Sequence, residues 1–340
     1  MWHHWDRDRW TPGSTPGPLV VGVWTEQKAR LGEDAEPLLA HHRPSGRGLI
    51  AVFDGAGGAG SASAGRTSAG VERTGAWVSS RVARAATEEW FVDAVEQQRL
   101  EAQDLHRTVV RCLDYVRSPV QCKISGTMRR ELPTTIAALT YRIAPGQVVW
   151  HTLWAGDSRC FVLDPDGGLQ QVSRDDAEEG DALILLTEDP PMTNMVSANR
   201  EFWINLEKGE ISTPCVLLCA TDGFFGYVHT PAEFEHVLLS TLITATDAGH
   251  WGDLLVETVR SYTGDDTSLA LVAIGFRDFD DLRDRFTARA QHLSREHWAP
   301  MQRAAGSDRD ELVTARTASW NRYRRSYERR MPKPTAGGLR

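Results

Sequence analysis

The chain has 340 residues, 41% hydrophobic and 25% charged, with a formal net charge of −8. That composition is globular and soluble, with length enough for one large domain or two ordinary ones and a core that needs no staples. The acidic balance speaks against nucleic acid as a partner, and no apolar run approaches the roughly 20 residues of a membrane span.

Residues 1–18 contain Thr11-Pro12-Gly13-Ser14-Thr15-Pro16-Gly17-Pro18 and read as a flexible leader. No signal peptide is visible ahead of it, because charge follows Met1-Trp2 where an apolar stretch would stand, so a cytoplasmic protein is expected. The five cysteines (Cys112, Cys122, Cys160, Cys215, Cys219) form no CxxC pair and read as reduced thiols. The histidine pairs His3-His4 and His41-His42 sit in polar, turn-rich surroundings and read as solvated.

Residues 19–24 are apolar enough for a first strand. A polar loop follows, carrying Lys28 and Arg30 just before Glu33-Asp34. A second strand is expected over 35–40, then a turn at Pro44-Ser45-Gly46. The next stretch, Leu49-Ile50-Ala51-Val52-Phe53-Asp54-Gly55-Ala56-Gly57-Gly58, is a buried strand that stops at an aspartate and glycines. Trp77, Val78, Val82, Ala85, Ala86, Trp90, Phe91 and Val95 have helical spacing, and a second helix is expected over 104–115. From Leu132 strands dominate. One spans 134–143, a hairpin turn lies at 144–147, and the next strand runs on to Gly156-Asp157-Ser158-Arg159. Residues 160–163 continue the sheet, and 173–210 are polar and irregular, a mobile cover over the site. Val216-Leu217-Leu218-Cys219-Ala220-Thr221-Asp222-Gly223 repeats the strand-to-aspartate design. Helices are expected over 230–246 and 251–262, and Asp265-Asp266 precede a last strand. Beyond Gly275 the chain becomes charge-rich helix, and Trp320, Tyr323 and Tyr327 have the spacing of a face docked on its own domain.

Asp-Gly at one strand end is ordinary turn chemistry. Several apolar strands that all end this way point instead to one acidic pocket at a sheet edge. Hard divalent cations want such oxygen ligands, and two of them clamp a phosphoryl group and activate water. Gly55-Ala56-Gly57-Gly58-Ala59-Gly60 is no clean dinucleotide loop, and no GxSxG elbow occurs.

In their order, Glu33-Asp34, Val52-Phe53-Asp54-Gly55-Ala56-Gly57-Gly58, Pro133-Thr134-Thr135, Ala155-Gly156-Asp157-Ser158-Arg159, Ala220-Thr221-Asp222-Gly223 and Asp265-Asp266-Thr267-Ser268 resemble the metal-dependent protein phosphatases of the PPM (PP2C) family, bacterial type. The resemblance implies an α+β fold: a sandwich of two mostly antiparallel sheets flanked by helices over residues 19–275, followed by a charged helical C-terminal extension over 276–340. It implies two Mn²⁺ or Mg²⁺ ions, with Asp54 bridging both. Asp222 and Asp265 hold one; Glu33 and the carbonyl of Gly55 help to hold the other; Asp157 lies near an additional, weaker ion. The implied reaction is hydrolysis of phosphoserine or phosphothreonine by a metal-bridging hydroxide, with Asp54, Asp222 and Asp265 as the catalytic set. Implied partners are a phosphorylated protein and a cognate Ser/Thr kinase, with no nucleic acid and no membrane. The family's phosphate-binding arginine falls on Ala29 here, so Arg30 is assigned that role, with Lys28 the other basic candidate. Ala56, Pro133 and Asp266 replace a usual histidine (in eukaryotic members), glycine and asparagine. The missing arginine register and the unmatched segment over 173–210 leave a second expectation, a weakly active or inactive regulatory binding module on the same fold.

Overall fold

The computed structural model describes residues 3–4, 17–61, 63–66, 70–117, 130–177, 183 and 191–333. Most of the expected leader and part of the expected cover over 173–210 lie outside them.

Two antiparallel sheets stack face to face. The first has strand order β1 (His3–His4), β3 (Leu38–His42), β4 (Arg47–Val52), β7 (Ile136–Ala144), β8 (Gln147–Ala155) and β11 (Asn205–Ser212). The second has order β10 (Gly168–Gln171), β9 (Arg159–Asp164), β12 (Cys215–Ala220), β13 (Thr267–Ile274) and β2 (Leu19–Thr25). A short ribbon, β5 (Ser63–Arg66) with β6 (Glu72–Thr74), lies apart. The central strands are apolar on both faces because both faces are covered. Ile50, Val52, Leu139, Trp150, Val162, Leu217 and Val272 fill the space between the sheets.

Helices close the two outer faces. On the first sheet, α1 (Gly57–Gly60) leads through the ribbon to α2 (Gly75–Glu96) and α3 (Ala102–Val116), whose Phe91, Trp90, Leu105 and Val109 pack over Leu49, Ala51 and Leu153. On the second sheet lie α4 (Asp222–Phe225), α5 (Pro231–Thr244) and α6 (Ala248–Arg260), joined by α7 (Phe279–Leu293), α8 (Ala299–Ala305) and α9 (Arg309–Tyr327). Leu282, Phe286, Leu293, Trp320, Tyr323 and Tyr327 belong to the same core as Phe161, Leu218 and Phe234. The aromatic stripe near the C-terminus therefore docks on its own sheet. A buried carboxylate pins it: Glu235 on α5 accepts from Arg289 Nε at 2.8 Å and Nη2 at 2.7 Å, and from the Tyr323 hydroxyl. The arrangement is the expected α+β sandwich.

Three expectations need correction. Residues 205–212 are not irregular cover but strand β11, paired with β8 from Asn205↔Trp154 to Ser212↔Gln147. Its alternation of half-exposed and exposed positions is that of a sheet-edge strand, which carries little apolar signal. The second strand begins at Leu38 and not at 35, because Ala35 and Pro37 belong to the approach to it. His41 is not solvated; it is buried between the sheets, where its Nδ1 meets the Tyr141 hydroxyl at 3.2 Å, and burial pushes its pKa down to about 4. The room for this pair comes from Gly48, since a Cβ there would overlap the Tyr141 ring.

Candidate active site

β4 and β8 in one sheet and β12 in the other all run toward the same end of the sandwich. Each stops just short of an aspartate: Val52 before Asp54, Ala155 before Asp157, Ala220 before Asp222. Asp265 and Asp266 enter from the start of β13, and Glu33-Asp34 from the loop between β2 and β3. The chain thus gathers carboxylates from both sheets at one edge.

The motif residues around them are fasteners. Pro133-Thr134-Thr135 holds the Asp54 backbone: Asp54 N donates to Thr135 Oγ1 at 3.2 Å, while its carbonyl accepts from Thr135 N at 2.9 Å and Thr134 Oγ1 at 2.6 Å. Ser158 meets the Thr135 hydroxyl at 2.7 Å. Arg159 forms a buried fork with Asp175, Nε at 2.9 Å and Nη2 at 2.6 Å, and lies over the Phe225 ring at 4.2 Å. Thr221 donates from its hydroxyl to Asp34 Oδ2 at 3.0 Å and accepts from Ser268 N at 2.9 Å. Asp266, at the usual asparagine position, accepts from Gln27 N at 2.8 Å and Glu33 N at 2.6 Å. Two glycines are dictated by close approach. A Cβ on Gly57 would collide with the Glu33 carboxylate, and one on Gly223 with the Asp266 carbonyl.

Electrostatically the pocket is crowded with one sign of charge. Asp54 is held well above the usual carboxylate range by desolvation and then by Asp34, Asp222, Asp157 and Asp265, all acidic. Asp34, which is 2% exposed, is raised by desolvation and then by Asp222, Asp266 and Asp265, against the hydrogen bond from Thr221. Burial and Asp222 raise Asp157 as well, and its Oδ1 is buried without a hydrogen-bond partner among the described residues. Asp265 is pushed up to about 6, and Glu33 is raised by burial against the hydrogen bond from Thr74. Among the described residues, no three of these side chains form a ready coordination shell. The donor set nevertheless suits hard divalent cations: carboxylate oxygens in mutual repulsion, one of them without a partner.

The structure brings together Glu33, Asp54, Asp157, Asp222 and Asp265, with Gly55 beside Asp54. Gly55 is packed so that a Cβ would meet the Glu33 carbonyl at 2.6 Å. Arg30 stands apart from the carboxylates' hydrogen-bond network. It is exposed at the turn of the Glu33 loop, with a left-handed φ of 66°, its N–H donating to Glu26 Oε2 at 2.6 Å. Lys28 is exposed on the same turn. Sequence reasoning missed the support behind this loop. Arg81 and Ser80 on α2 grip its carbonyls, and behind the separate turn that carries Asp157, Asp176 gathers Gly156 N at 3.0 Å, Asn194 Nδ2 at 2.7 Å and Asn205 Nδ2 at 2.9 Å. Nothing local in the sequence marks these residues, since each acts on a segment far from it along the chain.

A family model described as protein phosphatase 2C matches residues 27–260. Among solved structures, the chain is similar to a bacterial serine phosphatase, with 17% identity over 75% of this chain and 97% of that one and a TM-score of 0.54. It is similar to the Mycobacterium tuberculosis serine/threonine phosphatase PstP/Ppp, with 16% identity over 75% and 98% of the two chains and a TM-score of 0.51. It is also similar to the PPM Ser-Thr phosphatase MsPP from Mycobacterium smegmatis, solved in complex with cacodylate, with 15% identity over 76% and 98% and a TM-score of 0.50. At these identities the similarity is one of fold. No curated protein matches significantly.

Proposed function

The chain belongs to the protein phosphatase 2C family, and on that premise we propose that it removes phosphate from phosphoserine and phosphothreonine in proteins with the help of two divalent cations. The observation that supports this most is the surroundings of Asp54, whose charged neighbours Asp34, Asp222, Asp157 and Asp265 are all acidic. A set of like charges at the end of two rigid sheets is costly unless cations complete it.

Asp54, Asp222 and Asp265 would hold one Mn²⁺ or Mg²⁺; Asp54, Glu33 and the Gly55 carbonyl the other; Asp157 an additional one. Bound there, such ions neutralise phosphoryl oxygens and make water acidic enough to attack phosphorus. The protein's own part is placement. Thr134 and Thr135 fix Asp54, the Thr74 hydroxyl orients Glu33, and Thr221 orients Asp34. Among the described residues, Cys160, Cys215 and Cys219 are buried, and burial pushes Cys215 up to about 12, so none of these three is prepared as a nucleophile. Arg30, at the exposed turn of the Glu33 loop, is assigned to draw in the substrate phosphate. A phosphorylated protein is the expected substrate and a Ser/Thr kinase its counterpart; no described helix is long and apolar enough to cross a membrane.

The experiment is phosphate release from phosphothreonine, phosphoserine and phosphotyrosine peptides in Mn²⁺ or Mg²⁺, with Arg30→Ala beside the wild type. Turnover of the first two, with a raised KM in the variant, is expected. A chain that binds these peptides but releases no phosphate would support the regulatory binding module instead.

A further inference from the structure

The loop that carries Glu33 and Asp34 is irregular, yet the Glu33 carboxylate would have to be placed from it with metal-ligand accuracy, beside the buried Asp34. Its backbone N–H groups are taken up by acids. Glu26 accepts from Arg30 N at 2.6 Å and Gly32 N at 3.2 Å, and Asp266 from Gln27 N and Glu33 N. Its carbonyls are taken up by one guanidinium. Arg81 Nη2 donates to the Gly32 and Asp34 carbonyls at 3.2 and 2.9 Å, and Nη1 to the Glu33 carbonyl at 2.9 Å. Ser80 Oγ adds a second bond to the Glu33 carbonyl at 2.5 Å. Three successive carbonyls turned toward one cation fix the opposite side of the loop, where the Glu33 carboxylate meets the Thr74 hydroxyl and the Asp34 carboxylate meets Thr221.

The guanidinium is itself held. Arg81 lies 4.2 Å from the centre of the Trp77 ring, and Arg73 lies over the same ring at 4.4 Å, with its own Nη1 donating to the Arg30 carbonyl. Trp77 and Arg81 are one helical turn apart on α2, and Arg73 lies just ahead of that helix. A planar fork stacked on an indole is locked in a way that a lysine ammonium cannot reproduce.

We propose that the Arg73–Trp77–Arg81 stack is the positioning device of the metal site, with Arg81 as its working part: it sets the affinity for the divalent cations by fixing the Glu33-Asp34 backbone, without touching cation or substrate. This rests on the function proposed above. Partners behind metal ligands typically change affinity 10–100-fold when removed. Arg84, one residue short of the next turn, is the control. It donates to the Glu36 carbonyl at 3.0 Å and pairs with Glu88, touching neither Glu33 nor Asp34 among the described contacts.

The test is the Mn²⁺ dissociation constant of the full chain, by calorimetry and by electron paramagnetic resonance of free Mn²⁺, beside the melting temperature in EDTA. Arg81→Ala is expected to bind Mn²⁺ at least tenfold more weakly than wild type, Arg81→Lys to recover part of that loss, and Arg84→Ala to match wild type. Should Arg81→Ala fail to fold, Arg81→Lys and Trp77→Leu carry the same comparison. A folded Arg81→Ala with wild-type Mn²⁺ affinity, or an equal loss in Arg84→Ala, would overturn the inference while leaving the proposed function standing. A wild-type chain that binds no Mn²⁺ overturns both.

Discussion

Replacing Asp54 by asparagine should make the metal-free protein more stable, not less. Asp54 is part-buried and faces acids from four other positions, so its ionised form is disfavoured in the folded chain. A like-charge pair about 6 Å apart repels by about 0.7 kcal/mol in water and by about 3 kcal/mol at an effective dielectric of about 20. Taking values between these limits for a part-buried site, loss of the charge is worth about 1–3 kcal/mol. The amide keeps the shape, and the bonds that hold Asp54 in place run through its backbone N–H and carbonyl, which the substitution leaves alone. At about 2.1 cal/mol/K of unfolding entropy per residue, a chain of 340 residues shifts by roughly 1.4 °C per kcal/mol, so the melting temperature in EDTA should rise by roughly 1–4 °C. Wild type should overtake the variant when Mn²⁺ is added, because saturation to about 1,000 times the dissociation constant stabilises by about 4.1 kcal/mol only where binding survives. Thermal denaturation of both proteins in EDTA and across a Mn²⁺ titration reads the crossing directly. A variant less stable than wild type in EDTA, or one stabilised by Mn²⁺ to the same extent, would refute the picture of a repelling carboxylate cluster completed by cations.

The same difference has a defined pH dependence. A carboxylate with a raised folded pKa binds protons in the native state that the unfolded chain has released, so its charge costs stability increasingly as pH rises above about 4. The gain in Asp54→Asn over wild type should therefore shrink between pH 7 and pH 5. Histidines such as His41 and His297, lowered to about 4 by burial, cancel because both proteins carry them; a gain that grows on acidification would contradict the assignment. In the C-terminal region, Glu235→Ala leaves Arg289 without its buried partner and should cost about 3–5 kcal/mol, read as a lower urea midpoint. A loss below about 1 kcal/mol would mean that α7 and α9 are not seated on the sheet.

The site was legible where chemistry sits at the end of a short apolar run. Asp54, Asp157 and Asp222 each follow a strand whose hydrophobicity announces burial, and a fixed offset from such a strand places the carboxylate at the sheet edge. The docked C-terminal stripe was legible for a similar reason, since Trp320, Tyr323 and Tyr327 repeat at helical spacing. Strand β11 was not, because an edge strand keeps one side wet and its Glu207, Lys208 and Glu210 read as loop. His41 was hidden by its partner, because the space it occupies depends on Gly48 and Tyr141 on other strands. Arg81 was hidden most completely: its role lies in carbonyls some fifty residues upstream, and backbone atoms leave no mark on composition or periodicity.

The central claim is that the carboxylates at the end of the sandwich form a divalent-cation centre for phosphoester hydrolysis. It is tested most directly by phosphate release from a phosphothreonine peptide, with and without Mn²⁺, for the wild type and Asp54→Asn. Metal-dependent turnover in the wild type, lost in the variant while it remains folded, is the predicted result. Equal turnover in both proteins, or turnover indifferent to Mn²⁺ and EDTA, would contradict the account.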